Sequence, residues 1–230
     1  DDYFHAISLQ EIGNFVTGAS HTCPVEVSTG NHAPTVNGGP DYVIPKSTPF
    51  SLTAVGSDVD NDPLTYCWEQ MDPEFATMPP VSTSATGPLF RSYKGTASPT
   101  RWFPRLPDLV ANVNSDWEEL PGVARTMKFR VTVRDNHAGA GCTEEDDVVI
   151  TVAGQAGPLL VTAPNTNELW YVGETRTVTW NVASTNAAPV NCANVKLLLS
   201  TDGGLSYPIT LLASTPNDGS EVITLPSLTA

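Results

Sequence analysis

Between Met127 and Asp135 the chain reads MKFRVTVRD, and apolar and polar side chains alternate without a break. A period of two does not suit a helix that buries one face; it calls for an extended strand. Phe129, Val131 and Val133 then face a core, and Arg130, Thr132 and Arg134 face away from it. The pattern recurs. PLTYCWEQ puts Leu64, Tyr66 and Trp68 on one face and Thr65, Cys67 and Glu69 on the other. YVIPKSTPFSLTAVGSD reads as two strands about a Pro-Lys turn, and DVVITVAG follows MKFRVTVRD across a Gly-rich connection. Strands of this length, punctuated by turn residues, predict an antiparallel β-sandwich.

AGQAGP, residues 153–158, is a linker signal. Beyond it LLVTAPN, LWYVGETRTVTWNV, NVKLLLSTDGGLSYPITLLAS and EVITLP give roughly six further strands. A sandwich of this type has about seven, so the second unit is expected to be truncated or to close without its last strand. Within it, STDGGLSYP resembles the Asp-box turn of sialidase propellers, and Asp-Gly between alternating runs predicts a hairpin turn. Helix signals are concentrated at the start. In AISLQEIGNFVTGAS, Ser8 and Glu11 form a capping box, and Ile7 with Ile12 a hydrophobic staple. Leu9, Ile12, Phe15 and Val16 share one face, and Gly18 stops the helix. That apolar face needs a surface to cover it, expected to lie outside this stretch of chain. The predicted fold is mainly β, with two immunoglobulin-like antiparallel β-sandwich modules preceded by a short N-terminal helix. Residues 1–30 form the helix and a linker, 31–153 the first sandwich with a long insertion at 72–124, and 157–230 the second.

Composition narrows the function classes. Twenty-five acids against 11 bases give a formal charge of −14, which argues against nucleic acid or an anionic membrane surface as partner. Divalent cations are compatible with it. The longest apolar runs, KLLLS and GPLLV, are too short to span a bilayer. Cys23, Cys67, Cys142 and Cys192 form no CxxC pair, so zinc-finger spacing is absent. Buried thiols, or one or two disulfides in an exported protein, both fit; abundant Thr, Ser, Asn and Gly with little Lys lean toward export.

SDVDNDP carries acids at alternate positions, Asp58, Asp60 and Asp62. Such loops supply oxygens to calcium, although the glycine and final glutamate of an EF-hand are missing. The loop RDNHAGAGCTEEDD offers Asp135, Asn136 and Glu144 to Asp147 as further ligands if the two loops meet at one end of a sandwich. The same Asp, Asn and Pro residues equally make a turn. FRSYKGTASPTRWFPR, inside the insertion, brings Tyr93, Trp102 and Phe103 together with Arg91, Arg101 and Arg105. These suit a sugar- or peptide-binding surface, or they pin the insertion down while the arginines pair with acids. The adjacent acids Glu118-Glu119 and Glu144-Glu145 read as solvated. No HExxH, GxSxG, Walker loop or GxGxxG occurs.

DVDNDPLTYCWEQMD, SPTRWFPRLPDL, ARTMKFRVTVRDNHAGAGCTEEDD and APVNCANVKLLLSTDGGLSYPITLLASTPNDGS together resemble the region that follows the catalytic domain in large secreted metallopeptidases of Bacteroidetes. Those are reprolysin-like zinc enzymes of the metzincin group. The resemblance makes YFHAISLQEIGNFV the final helix of a metzincin domain. The family's HExxHxxGxxH signature is absent here, so no zinc ligand or general base carries over. Asp58, Asp60, Asp62, Leu64, Tyr66 and Trp68 also match the D-x-D-x-D-x-L-x-Y-x-W pattern of PKD and cadherin-like sandwiches, some of which bind calcium through such acids. The second unit resembles fibronectin-type or cell-wall-anchor-type sandwiches.

The expectation is a non-catalytic accessory region of a secreted or cell-surface bacterial metallopeptidase. It would act as spacer, stabiliser or adhesion module beside the catalytic domain, against a polysaccharide or protein surface. The alternative is a stand-alone carbohydrate-binding or adhesion module. Structural Ca2+ at Asp58, Asp60, Asp62 and Asp135 and a Cys67–Cys142 disulfide, from a central strand to the loop before the last one, complete the set; Cys23 and Cys192 are left unassigned.

Overall fold

The computed structural model describes residues 3–18, 27–113 and 115–227. In chain order the elements are α1 (Ala6–Thr17), β1 (Thr35–Asn37), β2 (Tyr42–Pro45), β3 (Phe50–Thr53), β4 (Val55–Ser57), β5 (Thr65–Gln70) and β6 (Thr100–Phe103). There follow α2 (Leu106–Val110), β7 (Arg125–Arg134), β8 (Thr143–Ala153), β9 (Leu160–Ala163), β10 (Thr175–Asn181), β11 (Asn194–Leu199), β12 (Ile209–Pro216) and β13 (Ser220–Thr224). The chain is mainly β, arranged in several sheets.

The MKFRVTVRD alternation becomes β7, at the heart of a four-stranded sheet of order β2-β8-β7-β5. One pairing departs from the antiparallel expectation: β2 runs parallel to β8, with Tyr42 opposite Ile150. Phe129, Val131 and Val133 are fully buried, as are Val148 and Ile150 on β8. The second layer over this core is the antiparallel pair β3–β6. Residues 72–124 are therefore more than an insertion. They supply β6 and bury Leu89, Phe90 and Phe103 at the centre, where Phe103 stacks on Phe50 at 5.0 Å and meets Phe129 edge-on at 4.7 Å.

Arg130 and Thr132, expected to face solvent, are buried too. The N-terminal segment lies over that face. Gln10 on α1 meets Arg130, and Arg134 donates to the Phe4 carbonyl at 2.8 Å. Arg130 also pairs with Asp147 and Glu145, so its charge is met inside the cover.

Helix α1 begins two residues before the expected capping box. Its cap comes from another element: the Ala6 N–H donates to Glu69 Oε2 at 2.7 Å, and His5 Nδ1 lies 2.6 Å from Glu69 Oε1. A buried carboxylate at a helix N-terminus satisfies an orphan donor and opposes the helix dipole. Ala6 is buried against the sheet, whereas Phe4, Ile7, Ile12 and Val16 are exposed.

A second apolar cluster centres on Val178, Trp180 and Ile223, between the sheet β13-β10-β9 and the pair β11–β12. Among the described residues five strands form here where roughly six were expected, because Trp170 to Val172 lie outside any strand and Gly173 and Glu174 pair with Leu225 instead. An apolar groove of about 430 Å3 opens beside this core, lined by Trp170, Leu197, Leu199, Leu211 and by Trp102 of β6. The stretch joining the two clusters is tied down. Lys46 N–H donates to Ala156, Leu159 N–H to Thr48 Oγ1, and Gly157 N–H to Ala183. Gly157 has φ +95°, and a Cβ there would lie 2.4 Å from the Lys46 carbonyl oxygen, so only glycine fits.

Candidate functional site

The two acidic loops do meet at one end of the first sheet. The ladder pairs Thr65 with Arg134, which brings the residues preceding β5 beside those following β7. Asn136 Nδ2 donates to the Pro63 carbonyl at 2.7 Å and locks the approach. Oxygens of Asp58, Asp60 and Asp62 then lie within 4.8 Å of one another. Asp58 Oδ1 accepts the N–H groups of Asp60 (2.8 Å) and Asp62 (3.1 Å), so the loop is also the turn its composition suggests. Asp58 Oδ2 is buried with no hydrogen-bond partner, as is Asn31 Oδ1.

Two histidines that sequence reasoning missed complete the cluster. His32 Nδ1 lies 3.0 Å from Asp60 and His137 Nδ1 2.7 Å from Asp62. The hydrogen bond to Asp62 holds the His137 imidazolium above its usual range, and the His32 N–H holds Asp60 below the usual carboxylate range. His137 stands two residues after Asp135, a proximity that offered a local signal; His32 offered none. Asp135 reaches the same end but plays another part. It is fully buried, and its oxygens accept from Asn31 Nδ2 and from the N–H groups of His137 and Cys142. It braces its loop and stands apart from the three-acid group. The remaining acids run along β8: Asp146 accepts from Gly38, and Glu145 and Asp147 pair with Arg130. In donor chemistry the cluster suits a hard cation, with carboxylate oxygens in a loop and the buried Asp58 Oδ2 unpaired.

The aromatic-basic stretch divides. Phe103 belongs to the core and touches no solvent. Tyr93 and Trp102 are half-buried and line a cavity of about 480 Å3 above β5 and β6. Arg101 pairs with the buried Glu118 at 2.7 Å and donates to the Trp68 carbonyl. Glu118, expected to be solvated, also accepts the Arg105 N–H at 2.9 Å, and burial pushes its carboxyl above the usual range.

The expected disulfide is absent. Cys67, Cys142 and Cys192 are free thiols, and Cys23 lies outside the described residues. Cys67 is opposite Thr132, which is opposite Glu145, three residues from Cys142. Two strand spacings and three residues put the pair about 14 Å apart, far beyond the Cα reach of a bridge. Cys67 instead points under residues 90–96 and donates to the Tyr93 carbonyl at 3.2 Å. Burial pushes its thiol up to about 11, so it is inert at neutral pH.

In the second unit the turn is built as expected. Asp202 accepts from the hydroxyls of Ser200 and Ser206 and from the Ser206 N–H, which hold its carboxyl far below the usual range. Gly204 in this turn sits against Val110 of α2. No described helix is long and apolar enough to cross a membrane. No protein-family model matches the chain, and a search of curated proteins returns no match above chance.

Proposed function

We propose that this chain is a non-catalytic accessory region of an exported bacterial zinc metallopeptidase. It would comprise a PKD/cadherin-like and a fibronectin-like sandwich that hold the catalytic domain away from, or onto, a polysaccharide or protein surface. The observation that carries this reading is α1. Its first turn is anchored by Glu69 and buried at Ala6, while Ile12 and Val16, one turn apart on the same face, stay exposed. An apolar stripe on an anchored helix is a surface for a neighbouring domain. The tied connection around Gly157 supports a spacer role, since it limits hinge motion between the two apolar clusters. The sequence resemblance supplies the identity of the neighbour, and no catalytic motif within the chain competes with it.

A structural Ca2+ held by Asp58, Asp60 and Asp62 belongs to this reading. The unpaired, buried Asp58 Oδ2 supports it. A bound cation would relieve the repulsion among three carboxylates and stiffen one end of the first unit. Calcium is expected to raise the melting temperature relative to chelator; equal values would remove the metal. The accessory role itself is tested upstream. The coding sequence preceding Asp1 is expected to encode HExxHxxGxxH, and the isolated chain is expected to cleave no protein substrate with or without zinc. A peptidase activity in the purified chain would overturn the proposal.

A further inference from the structure

The cavity above β5 and β6 has an unusual electrostatic setting. Four of the chain's 11 basic residues, Arg91, Lys94, Arg101 and Arg105, fall within residues 91–105, a stretch with no acid, in a protein of charge −14. Three of their guanidinium groups converge on one ring: Arg91, Arg101 and Arg105 have Cζ at 5.1, 5.0 and 4.9 Å from the Tyr93 centroid. Glu118 neutralises Arg101 at 2.7 Å. Among the described residues no carboxylate lies within ion-pair distance of Arg91 or Arg105, and both side chains are exposed. Like charges gathered on one ring repel one another unless an anion joins them. Arg101 spends N–H groups on the Trp68 and Arg91 carbonyls and on Glu118, and Arg91 Nε donates to the Ser92 carbonyl. The remaining N–H groups of Arg91 and Arg105 suit a planar anion.

The rest of the wall selects the kind of anion. Tyr66, Trp102 and Pro107 give it apolar faces, and Thr96, Ser98 and Thr100 give it hydroxyl oxygens. A volume of about 480 Å3 accommodates one or two sugar rings. We infer that this cavity binds a carboxylate-bearing sugar, a hexuronate unit of an acidic polysaccharide. The carboxylate meets Arg105, which lines the cavity, while Arg91, outside the lining but over the same Tyr93 ring, adds positive charge. The sugar ring lies against the aromatic wall, and the hydroxyls meet the 96–100 loop. This site is independent of α1 and of the acidic loops, so it stands or falls separately from the accessory role.

The test is calorimetric titration of the full chain with trigalacturonate. Uncharged galactotriose, inorganic phosphate and a tripeptide with a free C-terminal carboxylate serve as comparators. Trigalacturonate is expected to bind with an affinity that falls as salt rises. The Arg91→Ala/Arg105→Ala variant is expected to weaken it tenfold or more with an unchanged melting temperature. Arg105→Lys is expected to be intermediate, since it keeps the charge and loses the fork. Four results would overturn the inference: no heat at millimolar trigalacturonate, equal binding of galactotriose, tighter binding of phosphate or the tripeptide, or full affinity in the double variant.

Discussion

Trp102 and Phe103 are chain neighbours with opposite fates. Phe103 is fully buried among Phe50, Phe90 and Phe129, whereas Trp102 is half-buried on the surface of β6. Phe103→Ala is expected to cost about 3–5 kcal/mol of stability, the range for emptying an aromatic core site. Trp102→Ala is expected to cost much less, and denaturant unfolding of both variants compares them. Alternation within TRWF pointed to opposite faces, but which face was the core depended on the partner strand β3, about fifty residues earlier in the chain. Asp202 carries a pH signature. Its folded pKa is depressed by hydroxyl and backbone donors. Its contribution is therefore present above the ordinary carboxylate range and is lost as pH falls through the folded value. The difference in melting temperature between the wild type and Asp202→Asn is expected to be flat from pH 7 to about 5 and to shrink below about pH 4. A difference that grows on acidification would contradict the turn's geometry.

At the scale of elements, strand periodicity made the inward face of β7 legible, and turn chemistry made the Ser200–Tyr207 hairpin legible. The outward face of β7 was not legible. Arg130 and Arg134 are met by a segment more than a hundred residues away in sequence, and alternation carries no information about such a cover. The start of α1 was misplaced for the same reason: a local capping box lost to a carboxylate from β5, which buries Ala6 while it caps the helix. The acidic loops were legible as a meeting point, but the histidines that hydrogen-bond them were not, because His32 arrives from a loop with no motif. Glu69→Gln keeps the shape of the cap and removes its charge. It is expected to weaken docking of the first turn by about 1–3 kcal/mol. The amide signals of Ala6 to Leu9 should then exchange faster, while those of β7 stay unchanged; slowed or unchanged exchange at the N-terminus would refute the tertiary cap.

Over the whole molecule, two apolar clusters of unequal size share one tied connection, and a helix anchored at one end presents an apolar stripe outward. The larger cluster gives the platform its rigidity, and the Glu69 cap fixes where the stripe points. On the proposed accessory role the chain is a mount for another domain, and the docking of α1 is the step on which that role depends. The most direct measurement is hydrogen exchange over Ala6–Thr17, in this chain and in a longer polypeptide carrying the proposed upstream catalytic domain. Amides in the second half of α1 are expected to exchange at least tenfold more slowly in the longer polypeptide. Equal rates in the two would contradict a docking role for the helix.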